Sequence, residues 1–264
     1  AALHQHWPEA SVAWLVRPAF APVLAGHPAI DQLIPFPREE FRGLSGLIRS
    51  AGWTARLPRI RADLTLDLQG LFRSGLFART ASRGCVIGMS DAREGGALFY
   101  DRIARINPAQ HSVERYLQTL EPLGITRPSP PVFHLPAGHP PEIELPKRFL
   151  LLHPVSRGTG KSLPDTVTAE LIAGSPLPIV LAGRCPHPPQ ISGDAINLFN
   201  RTSLPELIWL LRQATAVISV DSGPMHLAAA VSQRLLAIHT WSDPLSVGPY
   251  QPHAFVWKNG TIRR

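Results

Sequence analysis

The sequence predicts an α/β protein of two doubly wound, Rossmann-like domains facing each other across a cleft, and three observations carry that expectation. Apolar, β-branched-rich segments alternate with segments of helical spacing along the chain. The strand candidates are continuously apolar, as parallel strands covered on both faces must be. A Pro-dense stretch, 127–146 ("RPSPPVFHLPAGHPPEIELP"), then breaks the periodicity, and the alternation restarts after it. Such a stretch within one compact domain is unusual, so it reads as a linker. The expected organisation is an N-terminal domain over 1–126, a linker over 127–146 and a C-terminal domain over 147–264.

In the first half, 12–16, 32–35, 64–68 and 86–89 read as strands, and 71–81 and 112–123 have helical spacing. Gly124 follows the second helix as a C-cap signal. In the second half the strand candidates are 149–153, 178–182, 196–199, 216–220, 235–239 and 255–257, with helices over 165–173, 204–214 and 224–231. Alternation of this kind implies parallel βαβ units, whose ligands collect at the C-terminal ends of the strands.

Composition narrows the function. The 264 residues, 44% hydrophobic and 17% charged, are those of a globular chain with length enough for a buried core. A net charge of +7 and a pI near 10.2 favour anionic partners. The arginines are scattered rather than clustered into an aromatic-interleaved stripe, which points to anionic small molecules or membrane head groups and away from nucleic acid. Cys85 and Cys185 form neither a disulfide framework nor a metal-ligand spacing, so a reducing cytosol is the default. No apolar run reaches the ~18 residues of a membrane span.

Two turns carry the chemistry. In "HPVSRGTGKSLP" (153–164), Gly160-Lys161-Ser162 resembles the end of a phosphate-binding P-loop, but the pattern's first glycine is Val155 here, so the signature fails. What remains is a basic, glycine-softened turn, Ser156 to Lys161, at the end of a strand. Its two cations and its hydroxyls suit a pyrophosphate, although a solvated basic loop has the same composition. In "AVISVDSGPMHLAAA" (216–230), a strand ends at Val220, Asp221-Ser222-Gly223 turns, and Pro224 opens a helix bearing His226. Free backbone N–H groups at that helix start suit an anion. The same residues also read as a plain cap supplied by Asp221 or Ser222.

Five segments in order, "DLTLDLQGLFRSGLFAR" (63–79), "DAREGGALFYDRI" (91–103), "HSVERYLQTLEPLGI" (111–125), "HPVSRGTGKSLP" and "VISVDSGPMHLAAA" (217–230), together resemble the bacterial heptosyltransferase family, lipopolysaccharide-core glycosyltransferases of the two-domain GT-B fold. The resemblance implies an inverting transfer of heptose from ADP-heptose to an anionic Kdo-lipid A core, with no metal and no cofactor beyond the donor itself. It implies donor contacts from Ser156, Arg157, Lys161, Asp221, Ser222, Gly223 and His226, with Lys161 stabilising the departing ADP. It implies acceptor contacts from Arg73, Arg93, His111 and Arg115. An enzyme of this family is expected in the cytoplasm, peripheral to the inner membrane.

Departures from the family pattern fall at defined places. The family's opening strand and Gly-Asp turn, whose aspartate is the expected general base, would lie upstream of residue 1, and its closing helices would lie beyond Arg264. Asp67 is the nearest carboxylate in kind, but an aspartate at a strand end more often caps the next helix. The loop before Lys161 carries one extra residue, and the tryptophan of the family's KxWP element is Leu163. The element FGPTDP reads "HTWSDP" (239–244), which reshapes the donor pocket near Trp241, and "GRCPHPP" (183–189) lacks the family's acidic residue. These departures leave two alternatives: a sugar-nucleotide binder without catalysis, or a transferase of another sugar. A dehydrogenase would show G-x-G-x-x-G after the first strand, and none occurs.

Overall fold

The structure is a computed structural model and describes residues 1–158, 160–189 and 194–264. The chain divides into two compact units, one of residues 1–21 and 28–132, the other of 22–27 and 133–264.

The first unit carries two small parallel sheets. Strands β1 (Ala13–Val16) and β2 (Gln32–Pro35) pair with each other, and β3 (Ala62–Asp67), β4 (Ser82–Met89) and β5 (Arg102–Ala104) form the second sheet in that order. Its helices are α1 (Ala2–His6), α3 (Gly43–Thr54), α4 (Phe72–Ala81) and α5 (Ser112–Leu117), and α2 (Ala21–Leu24) begins the short excursion into the other unit. An aromatic knot holds helices to sheet: Phe36, Trp53 and Phe77 stack edge-on or tilted at centroid distances of 5.1–5.3 Å, around buried Leu57. Indole burial of this kind needs a partner for the N–H, and Trp53 Nε1 donates to the Pro35 carbonyl at 3.1 Å. The helical spacing at 112–123 resolves into α5 and a 3₁₀ segment, Gln118–Leu123, because Pro122 cannot supply an amide to an α-helical ladder. Gly124 then closes it at φ 71°.

The second unit is one seven-stranded sheet in the order β12-β11-β10-β9-β6-β7-β8. Its strands are β6 (Leu150–His153), β7 (Ile179–Gly183), β8 (Ala195–Phe199), β9 (Ala216–Val220), β10 (Leu235–His239), β11 (Phe255–Lys258) and β12 (Thr261–Arg263). All neighbours pair in parallel except β11 and β12. Helices α6 (Asp165–Ala173), α7 (Leu204–Gln213), α8 (Gly223–Val231) and α9 (Pro244–Val247) connect them. Side-chain alternation sends Leu151, Val180, Ala182 and Val217 into a core with α7 and α8, and Leu152, Ile179 and Leu181 into a second core with Ile172 of α6. Both faces are therefore buried, which is why these strands lack polar alternation.

Several elements escape the sequence reading. Helix α3 is punctuated by Gly43, Gly46 and Gly52, and β5 and β12 have three residues each, too short to show a period. The β11–β12 hairpin did leave a signal, Asn259-Gly260, whose φ values of 50° and 77° are those of a tight hairpin turn. Residues 127–146 contain neither helix nor strand. Their second half lies against the second unit: Arg212 of α7 donates to the carbonyls of Leu135 and Pro136, and Ile143 and Leu145 pack on its core.

Gly138 fixes that contact. Its φ is 74°, and a Cβ there would stand 2.2 Å from the Pro205 carbonyl oxygen. Gly138→Ala should lower the unfolding free energy by roughly 1–3 kcal/mol through strain and overpacking. Urea denaturation checks this, and an unchanged midpoint would mean that the Pro-rich stretch is not seated on α7.

Candidate functional site

Strands β6 and β9 lie side by side, and their crossovers leave toward opposite edges of the sheet: β6 leads to β7, β9 leads to β10. No crossover helix can cover the carboxyl ends of both strands, so an opening forms where doubly wound sheets bind ligands. Three loops converge there. The loop after β6 carries Ser156, Arg157 and Lys161; the loop after β9 carries Asp221, Ser222 and Gly223, with His226 in the first turn of α8; the loop after β10 carries Thr240, Trp241 and Ser242. Thr159 lies outside the described residues.

Asp221 ties the loops together. Its carboxylate Oδ2 accepts from Lys161 Nζ at 2.7 Å and from Ser242 Oγ at 2.6 Å. Its backbone carbonyl accepts from Ser156 Oγ at 3.1 Å, and its amide donates to the Ile238 carbonyl at 3.0 Å. Thr240 Oγ1 adds a bond to the Gly160 carbonyl at 2.8 Å. Gly160 turns this loop at φ 74°, a conformation that L side chains resist. Lys161 Nζ also stands 5.2 Å from the centroid of the Trp241 ring, which is 75% exposed. Arg157, Gly223 and His226 are exposed, and Ser156, Lys161 and Ser222 half-buried.

The electrostatics follow from burial and partners. Burial works to raise the Asp221 carboxyl, but hydrogen bonds from Lys161 and Ser242 and the Lys161 charge hold it below the usual carboxylate range. His239 is fully buried, and that burial is the main cause of its lowered pKa. Because the Ser242 hydroxyl proton goes to Asp221, the 2.9 Å contact from His239 Nδ1 to Ser242 Oγ assigns the imidazole proton to Nδ1. Two donors thus converge on Asp221, His239 acting through Ser242 from one side and Lys161 from the other. Beneath it His153, the last residue of β6, is pushed down to about 4 by burial, with Nδ1 3.3 Å from Ser222 Oγ.

The first unit gathers the other expected residues. Arg73 opens α4 after β3 and lies 5.4 Å over the Phe36 ring. Arg93 follows β4 and is exposed; its amide donates to the Gly70 carbonyl of the β3 loop at 2.6 Å. Arg115 is ion-paired with Asp91 of the β4 loop. His111 serves as the N-cap of α5, its Nδ1 accepting from the Val113 amide at 3.2 Å. All four thus follow the carboxyl ends of the parallel strands β3, β4 and β5. Asp67 is enclosed at that same edge: it accepts from the Gln69 and Gly70 amides, Ser74 Oγ and the Tyr100 hydroxyl and is 4% exposed, so its role is to build the β3–α4 turn.

Two sequence expectations change. Neither Asp221 nor Ser222 caps α8 through its side chain: Asp221 is taken by Lys161 and Ser242, and the Ser222 hydroxyl donates to the Val220 carbonyl. The sequence reading placed the element 239–244 at the donor pocket near Trp241 but gave no role to His239, Thr240 or Ser242, and none to His153. Their own signal was position, at the ends of β6 and β10 beside the switch point. Among the described residues, no group of three or more His, Cys, Asp or Glu is placed to hold a metal ion, and no helix is long and apolar enough to cross a membrane.

Comparison with known proteins places this geometry. The family described as Glycosyltransferase family 9 (heptosyltransferase) matches residues 49–151 and 185–263. Lipopolysaccharide heptosyltransferase 1 of Salmonella typhimurium is 29% identical over 257 residues, 90% of this chain and 81% of that protein. The solved structure of E. coli heptosyltransferase WaaC with ADP-2-deoxy-2-fluoro heptose superposes with a TM-score of 0.77 at 25% identity, covering 98% of this chain and 88% of that one. A family 9 glycosyl transferase from Veillonella parvula shares the fold, with a TM-score of 0.79 at 20% identity over 97% and 79% of the two chains. The fold is thus the two-domain GT-B class.

A pH dependence follows from the buried histidines. His153 is neutral when folded and titrates near 6.5 when unfolded, so its contribution is complete above about 6.5 and is lost as pH falls toward about 4. His239 adds in the same direction. Unfolding free energy should drop by roughly 3 kcal/mol across this window. Denaturant titrations at several pH values check it, and His153→Asn should flatten the drop; a profile equally steep in that variant would reassign the effect.

Proposed function

We propose an activity that proceeds from one premise: the chain belongs to glycosyltransferase family 9, the heptosyltransferase family. It is an inverting heptosyltransferase that moves heptose from ADP-heptose to an inner-core acceptor of lipopolysaccharide. The naming of the Salmonella typhimurium relative and the ADP-heptose analogue in the WaaC structure support this donor and acceptor. The observation that carries the reading is the meeting of Lys161 with Asp221 at 2.7 Å across the switch point, flanked by Ser156 and the N-terminal turn of α8.

The donor diphosphate lies over the β6 and β9 loops, contacted by Ser156, Arg157, Lys161, Ser222, Gly223 and His226. An acceptor hydroxyl attacks the anomeric carbon in line and gives its proton to a general base, the aspartate expected from the family's Gly-Asp turn; the new C–O bond forms as the bond to the ADP oxygen breaks, and configuration inverts. Charge grows on the departing phosphate oxygen, and the Lys161 ammonium offsets it while Asp221 keeps that ammonium aimed into the opening. A fixed cation suffices for this, with no metal or further cofactor. Trp241, where the family has an FGPTDP element, presents an indole face beside Lys161 and sets the shape of the donor pocket.

The first unit receives the acceptor, an anionic Kdo-lipid A core. Arg73, Arg93 and Arg115, with His111 at the start of α5, follow three parallel strands, and guanidinium groups bind carboxylate and phosphate bidentately. Arg115 already has a carboxylate partner in Asp91, the kind of group proposed for it in the acceptor. The enzyme works in the cytoplasm at the inner membrane surface, to which its net positive charge draws it.

Two kinetic outcomes test the reading. Lys161→Ala should lower kcat about 10²–10³-fold, the effect of losing one preorganised charge partner; unchanged turnover would remove its assigned role. Arg93→Ala should raise the acceptor KM roughly tenfold, as expected for the loss of one charge-assisted contact, and leave the donor KM nearly unchanged. A donor-side effect instead would overturn the assignment of units.

A further inference from the structure

Helix α3 is built inside out. Leu44, Leu47, Ile48 and Ala51 recur at helical spacing and form one apolar stripe, and all four are exposed, Leu44 to 84%, Leu47 to 65% and Ile48 to 77%. The residues turned inward are small, polar or aromatic. Gly46 is buried so tightly that a Cβ would stand 2.4 Å from the Phe41 carbonyl carbon; Ser50 and Thr54 are half-buried; Trp53 anchors the last turn in the aromatic knot. A surface helix ordinarily turns its apolar stripe to the core. Here Gly46 and Trp53 fix the opposite orientation, so the stripe is presented outward by packing.

The charge around the helix says what covers the stripe. Helix α3 itself contains no acidic residue. Across 38–61 there are six arginines, Arg38, Arg42, Arg49, Arg56, Arg59 and Arg61, all exposed, against two glutamates, a net +4 out of +7 for the whole chain. One of those glutamates, Glu39, is already paired with Arg17. An apolar stripe bracketed by arginines at both helix ends matches an anionic lipid surface: acyl chains take the leucines, and head groups take the guanidinium groups. A protein groove would match the stripe but leaves the bracket of cations without an equivalent.

We propose that α3 is the membrane-docking element of this protein, lying in the interface plane of an anionic bilayer with Leu44, Leu47 and Ile48 inserted. This rests on the proposed lipid-linked acceptor for its purpose, not for its evidence. It names the surface by which an enzyme acting on a membrane-anchored glycolipid would reach it.

Sedimentation of the full chain with vesicles tests it. Vesicles of phosphatidylglycerol and phosphatidylethanolamine should carry the protein down, and phosphatidylcholine vesicles should bind it at least tenfold more weakly. The triple variant Leu44→Ser, Leu47→Ser, Ile48→Ser removes only exposed side chains and should keep the native circular dichroism and melting profile while losing vesicle binding at least tenfold. Arg42→Gln with Arg56→Gln and Arg59→Gln should erase the preference for anionic lipid. Three results would overturn the proposal: a wild-type chain that stays in the supernatant, a triple variant that binds as well as the wild type, or a wild-type dimer that the triple variant turns into monomer, which would make a second copy the occupant. Transfer to a detergent-dispersed acceptor separates the two readings. The triple variant should turn over normally there, and vesicle binding without any heptose transfer by the wild type would sink the proposed function while leaving this one standing.

Discussion

The site depends on one topological constraint, the reversal of crossover direction between β6 and β9. These two strands are neighbours whose interior residues, among them Leu151, Leu152 and Val217, are fully buried in the cores on the two faces of the sheet. Their loops therefore emerge side by side at a place no helix can close. Every polar group of Asp221 is engaged in keeping that place in order: its amide with β10, its carbonyl with the β6 loop, its carboxylate with Lys161 and with the β10 loop. Asp221 is less a ligand waiting in a turn than the joint through which three loops acquire fixed positions.

Magnitudes decide what the Lys161–Asp221 pair is for. Two unit charges about 4 Å apart attract by roughly 4 kcal/mol at the effective dielectric of a protein surface, and desolvation and side-chain ordering cancel most of that. The Lys161 side chain is 24% exposed, so the net gain to folding is small. Its geometric effect is not small. A free lysine samples many rotamers, whereas this one is tethered at its tip by Asp221 and flanked by the Trp241 ring, and a cation already in place needs no reorganisation when negative charge develops. The neutral His239 behind Ser242 serves the same end, because its Nδ1 proton fixes the serine hydroxyl toward Asp221.

What could be read from the sequence divides along the same physical lines. The long buried strands of the second unit announced themselves by unbroken apolar runs, and the turns bearing Lys161 and Asp221 by glycine, serine and proline at strand ends. The contact between those turns was inferred only as shared geometry, since spacing along a chain does not show which oxygen a lysine meets. Ser242 and His239 stayed hidden because a serine and a histidine near a strand end have no periodic signature; only the fold brings them to Asp221 from a loop twenty-one residues away. Helix α3 stayed hidden for a different reason: its glycines resemble a loop, and Leu44, Leu47 and Ile48 are exposed rather than packed in a core of the described residues. Asp67 shows the reverse case. Strand-end position suggested a cap for the next helix, but the α4 N-cap is Leu71, and the four donors to Asp67, the Gln69 and Gly70 amides with the Ser74 and Tyr100 hydroxyls, fix the β3–α4 turn instead.

The two units share a device that the fold alone would not require. In each, a cation at the carboxyl end of a parallel sheet is held by a carboxylate from a neighbouring loop: Lys161 by Asp221, Arg115 by Asp91. An unpaired cation in such a half-buried position would be costly to desolvate, and its own side chain would wander. Pairing it internally offsets the desolvation and holds the side chain in one place, and it also sets a threshold for any ligand. A neutral sugar gains nothing by approaching a cation that already has its counter-charge. A diphosphate or a carboxylate-bearing glycan can add to the open side of such a cation while the internal carboxylate keeps it in place, so the contact needs no rearrangement and the rest of the ligand decides the outcome. On the proposed assignment of the donor to the second unit and the acceptor to the first, an enzyme taking two anionic substrates is served by two such pairs, one in each unit.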